Sequence, residues 1–325
     1  MPISVVVLTL NSARTIDACL DSLSTQRLPP AEVIIVDDGS TDATLAAVAA
    51  FAARATVPVR IRHNGGRNIA RGRNIGMAAA ASRLVAFLDS DAVADAGWTE
   101  ALVAAFHARP GTAVVGGGVV AAYASAFAAA VACNDEAVRE LATSGVLLVS
   151  GCNMAVDTHL LAGETFDERW VHAEDIEFVH RVSDRHGWAI APAAVVHHES
   201  RVNPRSYFRQ MYRYGLWKVR YTARTGHVRA VDFVPSAVLA GSGALAAVVS
   251  PTLLLAFPAL SVVETLFVAG YRRPPARLLP LMLTGWLVKN TGWGLGVFVA
   301  VAQQAVRPST APTPAVAASA TETTG

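Results

Sequence analysis

The feature that most constrains this chain is a set of short, β-branched apolar runs, each stopping abruptly at polar residues and alternating with helix-spaced segments. Ile3 to Leu8 ends in Thr9-Leu10-Asn11-Ser12, Glu32 to Val36 in Asp37-Asp38-Gly39-Ser40-Thr41-Asp42, and Leu84 to Leu88 in Asp89-Ser90-Asp91. Val57 to Ile61 supplies a further strand between them. Apolar runs of this length bounded by polar punctuation read as buried strands. Their alternation with helices predicts a mostly parallel, doubly wound α/β sheet. Such sheets bind ligands beyond the C-terminal ends of their strands, where the polar clusters fall. Asp89 and Asp91, one serine apart, repel each other unless a cation or several donors intervene. A hard divalent ion bridging a substrate's phosphates resolves the conflict. For a lone Asp-x-Asp the bland alternative is a turn that caps the next helix.

Composition narrows the class. Hydrophobic residues make up 53% and charged residues 16%. The apolar excess lies after Val231, which points to membrane association rather than an oversized core. A net charge of +2 argues against a nucleic-acid partner. Cys19, Cys133 and Cys152 are widely spaced in apolar settings and read as buried thiols, without a disulfide frame or metal-ligand spacing. The opening Met1-Pro2-Ile3-Ser4 lacks a basic leader and reads as a strand rather than a signal peptide.

Along the chain, Leu20 and Leu23 space a first helix up to Gln26. Ser40 or Thr41 is expected to cap an Ala-rich helix reaching about Arg54. The basic, Gly-rich stretch His63 to Gly76 enters another helix. A helix from about Trp98 to His107 and a strand from Thr112 to Val119 follow. Gly116-Gly117-Gly118 has no helix start behind it, so a dinucleotide fingerprint is rejected. Ala121 to Ala132 is expected to be a short packed helix ended early by Asn134, Asp135 and Glu136. Val146 to Val149 is expected to be a strand.

Four motifs now stand in order: Val5-Val6-Val7-Leu8-Thr9-Leu10-Asn11, Val36-Asp37-Asp38-Gly39-Ser40-Thr41-Asp42, Ala70-Arg71-Gly72-Arg73-Asn74-Ile75-Gly76 and Phe87-Leu88-Asp89-Ser90-Asp91. Together they resemble the inverting family 2 glycosyltransferases with the GT-A nucleotide-sugar-binding fold. The first motif departs in lacking the family's usual proline at Thr9 or Leu10. The resemblance implies a metal-dependent hexosyltransferase with Mg²⁺ or Mn²⁺ as cofactor and a nucleotide-sugar as donor. Asp38, ahead of Asp37, resembles the family's base-binding aspartate, with Thr9 and Asn11 bordering the same pocket. Arg73 looks like the basic residue approaching the nucleotide, and Asn74 and Gly76 shape the turn. Asp91 is the first choice for direct metal ligand, Asp89 contacts the sugar or the metal's water shell, and Ser90 is a spacer. Gly151-Cys152-Asn153-Met154-Ala155 resembles the segment flanking the donor sugar.

Ala173-Glu174-Asp175 opens a helix, where the dipole favours carboxylates. Inverting transfer needs a base for the acceptor hydroxyl. The family's base sits in such an acidic pair, which assigns it to Asp175 with Glu174 as its neighbour. Val195-Val196-His197-His198 ends a strand where many GT-A enzymes supply a further metal ligand, and His198 is preferred over His197. Gln210-Met211-Tyr212-Arg213-Tyr214 echoes a processive-synthase signature with Tyr in place of Trp. A basic-aromatic interfacial helix explains it better, with Arg213 free to reach the pyrophosphate.

From Phe233 to Tyr271 the single charge is Glu264. As helix this stretch would be about 58 Å long, near two crossings of a roughly 30 Å hydrocarbon core, so a hairpin bent at Pro251 and Pro258 is expected. Arg220, Arg224 and Arg229 precede it, and Arg272, Arg273 and Arg277 follow, placing both ends on the cytoplasmic side. Leu278 to Val306 is either a third span with Lys289 buried in protein or an interfacial helix. The expected division is a catalytic domain over 1–203, an interfacial helix and linker over 204–230, a membrane region over 231–306 and a disordered tail over 307–325. This layout resembles bacterial succinoglycan-type exopolysaccharide glycosyltransferases. It implies a catalytic domain on the cytoplasmic face of the cytoplasmic membrane and a lipid-linked or glycan acceptor in envelope or exopolysaccharide synthesis, with room for other envelope-assembly proteins as partners. A polyprenyl phosphate acceptor, a silent nucleotide-sugar-binding module and a soluble transferase with an apolar dimerisation tail are the alternatives.

Overall fold

The computed structural model describes residues 1–122, 125–141, 149–170, 172–183, 185–199, 203–226, 228 and 230–306. In chain order the elements are β1 (Ile3–Thr9), α1 (Ile16–Ser24), β2 (Glu32–Asp37), α2 (Thr44–Arg54), β3 (Val59–His63), α3 (Ile69–Ala79), β4 (Leu84–Asp89) and β5 (Ala92–Ala94). Then come α4 (Trp98–Ala108), β6 (Thr112–Ala122), α5 (Ala126–Leu141), β7 (Asn153–Asp157), α6 (Thr158–Leu161), α7 (Glu174–Ser183) and β8 (Gly187–Glu199). The C-terminal helices are α8 (Pro204–Thr225), α9 (Val234–Val248), α10 (Ala256–Arg272) and α11 (Leu279–Val306).

One eight-stranded sheet runs in the order β3-β2-β1-β4-β7-β6-β8-β5. The period-2 alternation of its strands divides the core between two faces. Val5, Val7, Ile35, Ala86 and Leu88 pack with Ile16, Leu20, Phe51 and Trp98, while Val6, Ile34, Val36, Val85 and Phe87 pack with Ala70, Phe178 and Val182. Each such aliphatic side chain contributes roughly 1.5–3 kcal/mol by leaving water. The β1, β2, β3 and β4 pairings are parallel, as the repeat predicts. Beyond them the direction changes: β7 is antiparallel to both β4 and β6, and β6 is parallel to β8.

That reversal carries the lower half of the site. β5, a three-residue strand the sequence did not announce, pairs antiparallel with β8 and sets Ala92 opposite His198. The β6–β8 register slips between Gly117 and Gly118. Asn153, fully buried, holds the slip by donating from Nδ2 to the Gly118 and Ala194 carbonyls, both at 2.8 Å, and accepting from Trp98 Nε1 at 2.7 Å. Gly117 is required there, since a Cβ would stand 2.3 Å from the Ala194 oxygen.

Several expectations need correction. α5 does not stop at its polar residues but continues to Leu141, because each finds a distant partner. Asn134 donates to the Met282 carbonyl at 3.1 Å, Asp135 pairs with Lys289 at 2.9 Å, and Glu136 pairs with Arg272 at 2.7 Å. Ala121 and Ala122 belong to β6 rather than to this helix. Neither Ser40 nor Thr41 caps α2. Both instead bind Asn11, and Asp42 accepts the Thr44 N–H at 3.0 Å. The strand expected at Val146–Val149 lies outside the described residues except for Val149, which is buried and irregular. Arg229 and the tail after Val306 also lie outside them.

The C-terminal helices are docked on the sheet domain through α5. α8 lies against α11 with glycines at the crossing: a Cβ on Gly215 would meet the Trp293 carbonyl at 2.2 Å, and one on Gly296 the Tyr212 carbonyl at 2.2 Å. Gly292 and Gly296 on α11 form a small-xxx-small stripe that permits this approach. The chain breaks at Pro251 between α9 and α10, as the hairpin reading expects, whereas Pro258 sits inside the first turn of α10.

Candidate active site

The ends of β1, β2 and β3 build one wall. Gly39, with φ of 88°, turns the chain so that Asp37 folds back on its own loop, accepting the Gly39 N–H at 3.1 Å and the Ser40 N–H at 3.2 Å. Asp37 is thereby a structural residue of the turn. The next residue faces the other way: Asp38 Oδ1, Thr9 Oγ1 and Asn64 Oδ1 are buried with no hydrogen-bond partner among the described residues. Buried polar atoms are normally satisfied, and three orphans on adjacent strand ends mark a place for a polar ligand. Burial holds the Asp38 carboxyl above its ordinary range, opposed by Arg67 and Asn64. Asn11, in the left-handed region at φ 50°, accepts the Thr41 N–H at 2.8 Å and ties the β1 and β2 loops together.

At the end of β4 the two acids meet an imidazole. His198 Nε2 lies 3.1 Å from Asp91 Oδ1 and 3.9 Å from Asp89 Oδ2. The β5–β8 pairing causes this, for Ala92 opposite His198 brings the histidine beside the preceding Asp91. His197 points elsewhere, its Nε2 3.0 Å from Asp95. Loss of solvent raises the Asp89 carboxyl above its ordinary range, Asp91 and Asp175 add to the rise, and Arg73 and His198 oppose it. Two carboxylates and an imidazole form a donor set that fits a divalent ion. Ser90 is more than a spacer, since its hydroxyl lies 2.8 Å from that of Ser12 and locks β4 to the β1 loop. Beside Asp91 opens a groove of about 330 Å³ lined by Arg14, Thr15, Val93, His197 and Glu199.

Arg73 and Asn74 stand in the third wall. Arg73 is 2% exposed. Its guanidinium lies against the Phe87 and Phe166 rings, 5.9 and 5.5 Å from their centroids, and forms an ion pair with Glu174. Asn74 meets the same segment: its Oδ1 accepts the Phe166 N–H at 2.8 Å and its Nδ2 donates to the Phe166 carbonyl at 2.9 Å. Both side chains are struts that fix the segment leading into α7. Burial pushes the Glu174 carboxyl up to about 7, against the pull of Arg73. Glu174 is therefore a partner of Arg73, and Asp175 is the acid left beside the site.

Among the described residues, Asp175 is held by backbone N–H groups. Its Oδ2 accepts the Gly151 N–H at 2.8 Å and its Oδ1 the Ile176 N–H at 2.9 Å. Ala173, with φ of 58°, sets the left-handed step into the helix, a strained conformation of the kind found at ligand sites. Gly151 is a site residue whose role only the fold reveals: a Cβ there would stand 2.2 Å from Arg73 Nη2 and 3.0 Å from Asp175 Oδ2. The next residue, Cys152, brings its thiol to Asp89 and His198, with one ligand atom of each within 4.8 Å of the others. Burial and the charge of Asp89 push that thiol up to about 12. Its sequence setting, apolar and far from other cysteines, hid this placement. A larger groove of about 600 Å³ near Glu164, Arg181 and Arg185 lies apart from these residues, and its arginines are paired with its acids.

Comparison with known proteins bears on the fold and on residues 4–131. The model of the family Glycosyl transferase family 2 matches residues 4–131. The validoxylamine A glucosyltransferase of Streptomyces hygroscopicus subsp. jinggangensis is 36% identical over 115 residues, which are 35% of this chain and 27% of that protein. The uncharacterized glycosyltransferase YibD of Escherichia coli is 34% identical over 89 residues, 27% of this chain and 26% of that one. The chain thus spans about a quarter of the length of these curated relatives. Among solved structures, the mannosyltransferase PcManGT from Pyrobaculum calidifontis, in complex with GDP-Man and Mn²⁺, superposes with a TM-score of 0.55 at 20% identity, covering 90% of this chain and 86% of that one. S. aureus TarS 1-349 in complex with UDP gives 0.51 at 19% identity, covering 94% and 92%. At these identities the likeness establishes the fold.

Proposed function

We propose that this chain, whose residues 4–131 carry a glycosyl transferase family 2 domain in a GT-A fold, moves a sugar from a nucleotide-sugar to a membrane-proximal, lipid-linked acceptor with inversion at the anomeric carbon. The observation that supports this most is convergence. Asp175, on α7, accepts the Gly151 N–H at 2.8 Å, and the next residue, Cys152, brings its thiol against Asp89 and His198. Thr9, Asp38 and Asn64 receive the base and ribose, since an acceptor and two further polar atoms wait there without partners. Asp91, Asp89 and His198 hold Mg²⁺ or Mn²⁺, which when bound neutralises the donor's diphosphate. Asp175 takes the acceptor hydroxyl's proton as its oxygen attacks the anomeric carbon. The bond to the nucleoside diphosphate breaks on the opposite face, with its electron pair leaving on the diphosphate.

The membrane part of the reading rests on the tail. Among the described residues one helix, Pro251–Arg272, is long and apolar enough to cross a membrane, and 17% of its most apolar window is buried. On α10, Val263, Leu266 and Phe267 are each more than half exposed, and Arg272, Arg273 and Arg277 follow at its polar end. The polar groups of the tail are turned inward: Asn290 donates to Ser261 at 3.1 Å and to Glu264 at 2.6 Å, and Lys289 meets Asp135. An inward polar set with an outward apolar face suits a helical unit bedded in lipid. With a nucleotide-sugar as donor, the catalytic domain belongs on the cytoplasmic face.

The test is a screen of UDP-, GDP- and dTDP-sugars with Mn²⁺ or Mg²⁺, reading nucleoside diphosphate release in the presence of native membrane lipids. Turnover with at least one donor, lost on chelation and in Asp91→Ala, is the expected outcome. Nucleotide binding without turnover across donors and lipid acceptors would instead indicate a binding module.

A further inference from the structure

We infer that Cys152 is a ligand of the ion held at Asp89 and His198, so that the site presents sulfur together with oxygen and nitrogen. The inference rests on the ion site of the preceding subsection. The Cys152 Sγ, one Asp89 carboxylate oxygen and one His198 ring nitrogen all lie within 4.8 Å of one another. Donor atoms this close need only small side-chain adjustments to share one ion at bonds of about 2.0–2.3 Å. The thiol is not a loosely placed neighbour. It is 7% exposed, and its flanking residues are pinned: Gly151 leaves no room for a side chain beside Arg73, and Asn153 is fully buried with three hydrogen bonds. Its polar contact is the Ser150 hydroxyl at 3.2 Å, which can turn to stabilise a thiolate. Cys19 is placed differently, since it meets the Asp89 backbone carbonyl at 3.5 Å rather than the carboxylate.

A carboxylate, imidazole and thiolate set is softer than the all-oxygen environment Mg²⁺ prefers. Of the two ions named for the site it favours Mn²⁺ over Mg²⁺, and it also suits Co²⁺ and Zn²⁺. When the metal–sulfur bond forms, the thiol proton passes to solvent, so one proton is released for each ion bound through sulfur.

Cobalt reads this directly. Full-length protein in detergent micelles is titrated with Co²⁺, and the near-ultraviolet thiolate-to-cobalt charge-transfer band is recorded. Wild type and Cys19→Ser should show the band. Cys152→Ser and Cys152→Ala, checked for fold by circular dichroism, should bind Co²⁺ roughly tenfold or more weakly and show no band. Co²⁺ binding by wild type without the band, or a band that persists in both Cys152 variants, overturns the sulfur ligand and leaves the ion site standing. Absence of Co²⁺ binding in wild type overturns both.

Discussion

Arg73 and Glu174 form a charged contact between residues far apart in sequence, buried between two phenylalanines. Removing one partner of such a pair leaves an uncompensated charge, at a cost of about 3–5 kcal/mol. Arg73→Met should therefore lower unfolding free energy by that amount in denaturant titration, and activity should fall with it because α7 and Asp175 lose their support. Glu174 also predicts a pH dependence. Its folded value of about 7 lies above the ordinary carboxylate range, so the folded state binds the proton more tightly than the unfolded chain. The associated stability is complete below about 4.5 and is lost as pH rises toward 7. Glu174→Gln should flatten that limb of the stability profile, and an unchanged limb would show that another group causes it. The carboxylates at strand ends were legible from sequence because a strand's end is visible as a change in residue type. The partners of Arg73 and Asn74 were not, because their positions depend on how the 166–174 segment returns to the sheet. Cys152 was hidden because the residues it meets, Asp89 and His198, come from β4 and β8.

Among the elements, α3 shows what the basic glycine motif does in the fold. The motif reads as a ligand-shaping turn, but Gly72 and Gly76 lie within the helix and let it approach β1 closely. A Cβ on Gly76 would stand 2.4 Å from Val6 Cγ1. Gly76→Ala should cost about 1–3 kcal/mol through overpacking. Gly66→Ala, with nothing within 4 Å of the added carbon, should stay within about 0.5 kcal/mol. Thermal or chemical denaturation of the two variants separates close packing from loss of backbone freedom. The parallel elements β1 to β4 follow from the strand-helix repeat. The antiparallel β7 and the short β5 do not, since three to five residues of mixed character carry no directional signal. The same limit applies to α5, whose acids look like a stop until Lys289 and Arg272 arrive to pair with them.

For the molecule as a whole, α5 packs against α10 and α11, and α8 against α11, so the C-terminal helices are joined to the sheet domain by packing as well as by the chain. The aromatic side of α8 contributes to this joint: Trp217 lies 5.4 Å and Tyr221 6.0 Å from Trp170, centroid to centroid. Its rings thus pack on the segment before α7. The exposed apolar face of α10 predicts vesicle binding. Leu266→Glu with Phe267→Glu should reduce co-sedimentation with anionic phospholipid vesicles several-fold, while release from a nucleotide-sugar in detergent persists. Equal co-sedimentation would place the lipid contact elsewhere. The most direct measurement of the central claim is single-turnover transfer by Asp175→Asn, compared with nucleoside diphosphate binding to the same variant. A general base contributes about 10²–10⁴-fold, so the rate should fall by that factor while nucleotide affinity stays within about twofold. Wild-type transfer by Asp175→Asn would contradict the assignment of Asp175 as the base.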